Sequence, residues 1–360
     1  MTSKEIKALR REIGTIDSEM IELIRRRMEV SREIGLTKSK EGLPARDAAR
    51  EREVIAGFSK LAGSLNVDAG LARRIAQLLI SDSLKVQAES HSRRLQGSTA
   101  LVVGGAGRMG EWFCRFLSNR GAEVKIWDPR GRLSGYKNLK TVESGALSDI
   151  IVVASPLGAA PTELKLVLEN EPSGLVFDLC SVKSHIAGQL RDAAAKGMHV
   201  TSIHPMFGPS VCSPMGRNVV VCDCGSEEAV EKVSALLREA GANVSRASIE
   251  RHDELMAYVL GLSHLCSLLF VGTIRTSKEN PDSLGMVQGP SFEKMCRMAR
   301  ELSSESKRVY HDIQALNPNT RKLVTRMERV LAELRTASLD ADPVRFAEIM
   351  DANREYMEVD

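Results

Sequence analysis

Three sets of residues in this chain of 360 have the types and spacing to do chemistry. The first is cationic. In the heptad-like series 6, 13, 20, 27, 34, every member is apolar except Arg27. A guanidinium in a buried helical seam is costly unless an anion pairs with it. Lys38 follows 11 residues later, which on a helix is ~20° off the same face and about 16 Å along the axis. Two long cationic side chains leaning together could clamp a small dianion. The bland alternative is a structural salt bridge or a snorkelling arginine. Arg10 lies 17 residues before Arg27, about 25 Å away and ~100° around the helix. On a straight helix it reaches the same kind of ligand only in a partner subunit. Asp47, Arg50 and Glu51 fall at i, i+3, i+4 on one face of a second helix. Ser83 interrupts the apolar face of a third helix (Leu71, Ile75, Leu78, Leu79, Val86), with Gln87 one turn on. These are many hydrogen-bonding groups and no nucleophile, a pocket that holds and orients.

The second set is glycine-rich. The run from Gly104 to Gly110, GGAGRMG, contains a G-x-G-x-x-G at Gly105, Gly107 and Gly110, with Arg108 and Met109 between the last two glycines. It follows an apolar run at 99–103 and opens an amphipathic helix. A second strand ends at Asp128, 18 residues after Gly110. That context turns a weak string into a dinucleotide site. Backbone N–H groups would meet the pyrophosphate at the helix N-terminus, and Asp128 the ribose hydroxyls, which favours NAD. Arg130 and Arg132 could instead serve a 2′-phosphate, so NADP is the alternative.

The third set stands where further strands end: Ser155-Pro156, 181–183 (SVK) and 204–209 (HPMFGP). The C-terminal edge of a parallel sheet builds the site in such folds. His204 is there a natural proton acceptor for hydride chemistry, the alternative being a structural turn residue.

Three kinds of element must position these residues. Residues 1–90 read as all-helical, and Pro44 ends the first helix. The polar stretch 88–97 (AESHSRRLQG) reads as a linker, assigned to 91–97. Residues 98–248 alternate short apolar runs with helical patterns, as in a parallel, doubly wound α/β Rossmann sheet, with strands expected at 99–103, 123–127, 150–154, 175–179, 200–203 and 219–222. Residues 249–360 are amphipathic helices again, and 260–271 (LGLSHLCSLLFV) is the greasiest stretch.

Composition limits the partners. Apolar residues at 43% support packed cores. No continuous apolar run reads as long enough to span a bilayer, and the charged start, MTSKEIKALRREIG, lacks a signal-peptide core. The net charge of +3 resides in residues 1–92, where 17 Lys and Arg face 14 Asp and Glu, with Phe58 the one aromatic. Such a module is a poor nucleic-acid binder. Seven scattered cysteines read as free thiols, and the lone pair Cys222 and Cys224 is poor evidence for a metal. The expectation is a cytoplasmic enzyme acting on small molecules without a metal, a membrane or a nucleic acid.

The stretches ALRREI (8–13), RRRMEVSREIGLTK (25–38), ARDAARERE (45–53) and QLLISDSLKVQ (77–87) resemble the all-helical chorismate mutase family. All eight polar pocket positions of that pattern are present: Arg10, Arg27, Lys38, Asp47, Arg50, Glu51, Ser83 and Gln87. The resemblance implies an intertwined homodimer in which Arg10 reaches the partner's site. It also implies a pericyclic rearrangement of chorismate to prephenate, with Lys38 and Gln87 donating to the breaking ether oxygen. Arg10 and Arg27 would bind carboxylates. Asp47, Arg50 and Glu51 would orient the ring hydroxyl, and Ser83 would meet a carboxylate or the wall.

VVGGAGRMG, DLCSVK (178–183), HPMFGP (204–209), HDELMA (252–257) and His264 are similar to the prephenate dehydrogenase family, over roughly residues 98–340. That similarity implies NAD-dependent oxidative decarboxylation of prephenate to 4-hydroxyphenylpyruvate, in tyrosine biosynthesis. His204 would meet the ring hydroxyl, and His264 and Ser155 would line the substrate and nicotinamide region. An arginine on a C-terminal helix would take a substrate carboxylate, with Arg300 preferred to Arg297. The helical tail would be a dimerisation domain. Ser210 stands where relatives carry an acidic residue, which leaves prephenate against arogenate open. The competing readings are a monofunctional dehydrogenase with a purely dimerising helical front, an NAD-binding metabolite sensor, and an unrelated Rossmann hydroxyacid dehydrogenase. Eight inward polar positions argue against the first.

Overall fold

The computed structural model describes residues 3–41, 47–90, 95–303, 306–339 and 343–358. Pro44 and part of the expected linker lie outside them. The chain divides into two compact units, residues 1–180 with 187–248, and residues 181–186 with 249–360.

The first unit opens with α1 (Ser3–Glu41), α2 (Ala48–Ser64) and α3 (Ala69–Ser90). Helix α1 is unbroken over 39 residues, about 58 Å at 1.5 Å per residue. The periodic stripe was expected to be a buried seam, and within one chain it is not. Ile13, Ile16, Met20, Leu23 and Val30 are about half exposed or more. The face of α3 that is buried carries small residues, Ala72, Ala76 and Ser83, while Leu71 and Leu78 remain exposed. Periodicity reports which side chains share a face; it does not report which chain covers them.

The expected α/β sheet follows. It contains β1 (Thr99–Val103), β2 (Glu123–Trp127), β3 (Lys137–Asn138), β4 (Ile150–Val153), β5 (Leu175–Asp178), β6 (Val200–Pro205), β7 (Asn218–Asp223) and β8 (Asn243–Ser248). The spatial order is β3-β2-β1-β4-β5-β6-β7-β8. Strands β1 and β4 are parallel neighbours from which the strand order grows in opposite directions, the switch point where such folds bind dinucleotides. Strands β1, β4, β5 and β6 are buried almost throughout, and β4 (IIVV) is continuous Val and Ile, as in strands covered on both faces. Helices α4 (Arg108–Ser118), α5 (Ala160–Leu168), α6 (Ala187–Ala195) and α7 (Glu227–Glu239) provide the cover. On α4, Trp112, Phe113 and Phe116 form an aromatic cluster that reaches Phe177 on β5. Two features depart from expectation. Strand β7 runs antiparallel to β6, so the sheet is mixed. Strands β3 and β8 went unpredicted, β3 being two residues long and β8 polar (NVSRAS) at the sheet edge.

The second unit is helical: α8 (Ile249–Met256), a π-helical segment (Ala257–Leu262), α9 (Ser263–Ser277), α10 (Pro281–Val287), α11 (Pro290–Ser303), α12 (Lys307–Leu316), α13 (Thr320–Leu339) and α14 (Pro343–Met357). By length and composition alone, Ile249–Ser277 is the one helix among the described residues able to cross a membrane. The expectation that no run could do so missed it because Ser263, His264 and Ser267 interrupt the apolar window. His264 and Ser267 are buried in the unit. In the π segment the Gly261 carbonyl accepts from Gln314 Nε2 at 3.0 Å, a side chain filling the gap that i→i+5 geometry leaves.

Asp253 organises this unit. Its side chain is fully buried and accepts the N–H of Lys183 at 2.9 Å and of Ser184 at 2.8 Å, together with the Ser184 hydroxyl at 2.5 Å and His252 Nδ1 at 2.8 Å. The Asp253 carbonyl accepts from Asn317 Nδ2 at 2.8 Å. Burial raises the carboxyl's pKa, but the hydrogen bonds from His252, Ser184 and Lys183 outweigh it and hold the group below its ordinary value. A depressed carboxylate gives stability that is present above the unfolded value, about 3.9, and lost as pH falls through the folded value. The urea midpoint of the protein should therefore fall below about pH 4. Asp253→Asn should lower the midpoint at pH 7 and flatten part of that acid limb, read from denaturation curves between about pH 3 and 7. A wild-type acid limb retained in full would remove Asp253 from this role.

Candidate active sites

In the three-helix module the broken seam position turns inward. Arg27 is half-buried, and its Nη1 donates to the Leu79 carbonyl at 2.8 Å and to Ser83 Oγ. Ser83 in turn donates to the Leu79 carbonyl at 2.7 Å. Burial lowers the pKa of the Arg27 guanidinium, the direction expected for a cation short of water. Asp47 is the N-cap of α2, its Oδ1 accepting the N–H groups of Ala49 and Arg50 at 3.0 Å each. The Arg50 N–H foremost, then that of Ala49 and the charge of Lys38, hold the Asp47 carboxyl below its ordinary range, against a smaller opposing effect of burial.

The module thus joins Arg27 to Ser83 and brings the Lys38 charge to bear on Asp47. Glu51 is half-buried. Arg50 pairs with Glu53 at 2.8 Å on the exposed side of α2, and its charge also acts on Asp47. Arg10 is exposed on α1. Gln87 lies on α3, but its side chain is outside the described residues.

The glycine loop lies between β1 and α4 at the switch point. Gly104 has φ +74, and a Cβ there would lie 3.0 Å from the Ala154 carbonyl group beyond β4. A Cβ on Gly105 would meet Ile126 at 2.7 Å, and one on Gly110 would lie 2.2 Å from the Gly104 carbonyl oxygen. The Gly107 N–H donates to that oxygen at 3.0 Å. Gly107 is the N-cap of α4 and supplies no side-chain cap, so the positive end of the helix faces outward beside Arg108 and Met109. This is a cradle with the side chains removed, which fits a pyrophosphate.

Asp128 follows β2 with a side chain only 5% exposed. Its Oδ2 accepts the Ala106 N–H at 3.1 Å and its Oδ1 the Arg130 N–H at 2.8 Å. Each carboxylate oxygen has a second lone pair, so ribose hydroxyls can still donate to it. Ser155, just past β4, donates its hydroxyl to Glu163 on α5. His204 is the buried penultimate residue of β6, opposite Val220 of β7.

In the helical unit, His264 is buried in the first turn of α9, edge-on to Tyr310 with ring centroids 4.3 Å apart. Among the described residues its Nδ1 meets no hydrogen-bond partner. Arg300 borders an apolar cavity of about 610 Å³ with Phe270, Ile274, Phe292 and Cys296. Arg297 is turned to Glu293 at 3.2 Å. Sequence reasoning missed Glu163 and Asp253. A glutamate in a first helical turn has the look of an ordinary dipole partner, and Asp253 sits in a charged helical run, RHDE.

Residues 9–88 match the family model for chorismate mutase type II. Residues 133–246 match prephenate dehydrogenase, nucleotide-binding domain, and residues 248–357 match prephenate dehydrogenase, dimerization domain. The second match begins beyond the glycine loop and Asp128, so the reading of that loop rests on its own geometry. The chain is 26% identical to the T-protein of Enterobacter agglomerans over 324 residues, 89% of this chain and 85% of the relative. It is 29% identical to 4-amino-4-deoxyprephenate dehydrogenase of Streptomyces pristinaespiralis, over 69% of this chain and 87% of that one. Its fold is similar to that of prephenate dehydrogenase from A. aeolicus in complex with hydroxyphenyl propionate and NAD+. The TM-score is 0.59 at 20% identity, covering 73% of this chain and 98% of the other.

Burial pushes the His264 pKa down to about 4. The unfolded chain takes up a proton near pH 6.5 that the folded chain refuses until about pH 4, so this group withdraws stability as pH falls across that window. Imidazole nitrogen shifts in NMR should show His264 neutral down to about pH 5. An imidazolium at pH 6 would contradict the burial described.

Proposed function

We propose how two sites divide the work of a chain that belongs to the type II chorismate mutase and prephenate dehydrogenase families, a bifunctional enzyme of tyrosine biosynthesis. The helical module occupies residues 1–90, a linker 91–97, the nucleotide-binding domain 98–248 and the helical domain 249–360. The observation that carries the reading is Arg27, a half-buried guanidinium bonded to Ser83 inside a three-helix module. A module built only to dimerise gains nothing from burying that charge.

The mutase reaction is unimolecular, so its residues hold and stabilise. Arg27 and the partner subunit's Arg10 take the two carboxylates of chorismate, bidentately where geometry allows. Lys38 and Gln87 donate to the ether oxygen as its bond breaks, stabilising charge that grows in the transition state. Asp47, Arg50 and Glu51 orient the ring hydroxyl, and Ser83 fixes the Arg27 fork.

In the dehydrogenase reaction, Gly105, Gly107, Gly110 and the backbone of Arg108 and Met109 receive the pyrophosphate, while Asp128 receives the adenosine ribose. NAD, when held there, would supply the acceptor for the hydride of the ring carbon that bears the hydroxyl. His204 takes the hydroxyl proton, and carbon dioxide leaves as the ring becomes aromatic. His264, neutral and buried, contributes to the substrate region, Ser155 to the nicotinamide region, and Arg300 takes a substrate carboxylate. Arg300 is preferred to Arg297 because it borders a cavity while Arg297 faces Glu293. NAD is the cofactor and prephenate the substrate. The protein works as a homodimer in the cytoplasm, a second copy covering the apolar stripe of α1 and Arg10 completing its site.

Reciprocal variants test the division. Lys38→Ala should slow chorismate loss by about 10²–10³-fold and still reduce NAD when prephenate is supplied. His204→Asn should consume chorismate normally, bind NAD, and lose about 10²–10⁴-fold of reduction. Spectrophotometry of chorismate and of reduced cofactor separates the two. Loss of both activities together in either folded variant would overturn the division.

A further inference from the structure

One buried carboxylate in the nucleotide-binding domain is used by nothing described so far. Glu163 lies in the first turn of α5 with its side chain 8% exposed. A carboxylate so far from water must be paired. One oxygen accepts the Ser155 hydroxyl, and the other faces Arg130 Nη2 at 3.3 Å. Arg130 is committed a second time at Asp128. Its backbone N–H donates to Oδ1 at 2.8 Å, and its Nε stands 3.9 Å from the same oxygen. The result is a continuous chain of polar contacts from the Ala106 N–H through Asp128, Arg130 and Glu163 to Ser155. It links the ends of β1, β2 and β4 and the start of α5, the corners of the switch-point crevice.

We propose that Glu163 is a specificity-determining, positioning residue: by holding the Arg130 guanidinium it withholds from a 2′-phosphate the cation closest in sequence to Asp128, and so sets the preference for NAD over NADP. This rests on the dinucleotide reading of the glycine loop. The argument is electrostatic. A 2′-phosphate arriving beside Asp128 brings about two negative charges and needs a cation to offset them. Arg130 could serve only by leaving Glu163, whose buried charge would then keep a hydroxyl as partner. The remaining candidates are Arg132 and Lys140, which border an open cavity of about 630 Å³ with Asp128. Arg132 is therefore the competing cation, and the test must separate it from Arg130.

Glu163→Gln removes the charge and keeps the shape. With prephenate as substrate, kcat/KM for NADP should rise about tenfold, through KM with kcat little changed. Adding Arg130→Ala should abolish the gain, and adding Arg132→Ala should not. Glu163→Asp leaves a buried carboxylate that falls short of Arg130. It should show a smaller gain in the same direction, and it serves if the glutamine variant does not fold. Mutase turnover of chorismate reports folding independently. An unchanged NAD-to-NADP ratio in whichever variant folds overturns the proposal, as does a gain that survives Arg130→Ala. Wild-type protein that reduces neither cofactor with prephenate would instead remove the underlying reading of the glycine loop.

Discussion

The dehydrogenase half depends on one steric constraint: the Gly104 carbonyl oxygen occupies the space where a side chain on Gly110 would stand, 2.2 Å from an ideal Cβ. Because the loop closes so tightly, α4 starts directly over the end of β1, and its positive end opens onto the crevice between β1 and β4. Asp128 holds the loop from the side through the Ala106 N–H. The aromatic face of α4 then locks the helix to the sheet through Phe113 and Phe177. Local backbone geometry, a buried carboxylate and a packed core all fix the same few ångströms.

The same economy recurs in the helical unit, where Asp253 does for the 181–186 segment what Asp128 does for the glycine loop. Each carboxylate is removed from water and bonded to backbone N–H groups of a neighbouring loop. Backbone donors do not rotate, so a carboxylate held this way fixes two chain segments at once. His204 and His264 are likewise buried within their own units, which limits the rotamers open to them.

Most of this frame was legible in the sequence because its signals are local. The glycine spacing, the Asp128 that follows β2 and the apolar strands are short-range patterns, and the six expected strands appear within two residues of their expected bounds. What was not legible depends on distance or on another chain. Glu163 pairs with Arg130 across 33 positions, and nothing in the neighbourhood of either announces it. Strand β8 is polar and is a strand because β7 lies beside it in register. Arg27 was singled out by its break in a heptad series, and its partner on α3 was foreshadowed by Ser83 on an apolar face. The apolar stripe of α1, read as a helical seam, is exposed within the single chain.

That stripe on α1 has a consequence for how the two activities depend on conditions. The glycine loop, Asp128 and His204 lie within one compact unit of the chain. The proposed mutase pocket takes Arg10 from a second copy, at the surface where the stripe is exposed. Its occupancy is then governed by mass action. Dilution that separates the copies would empty that pocket of Arg10, so the proposed first reaction depends on protein concentration.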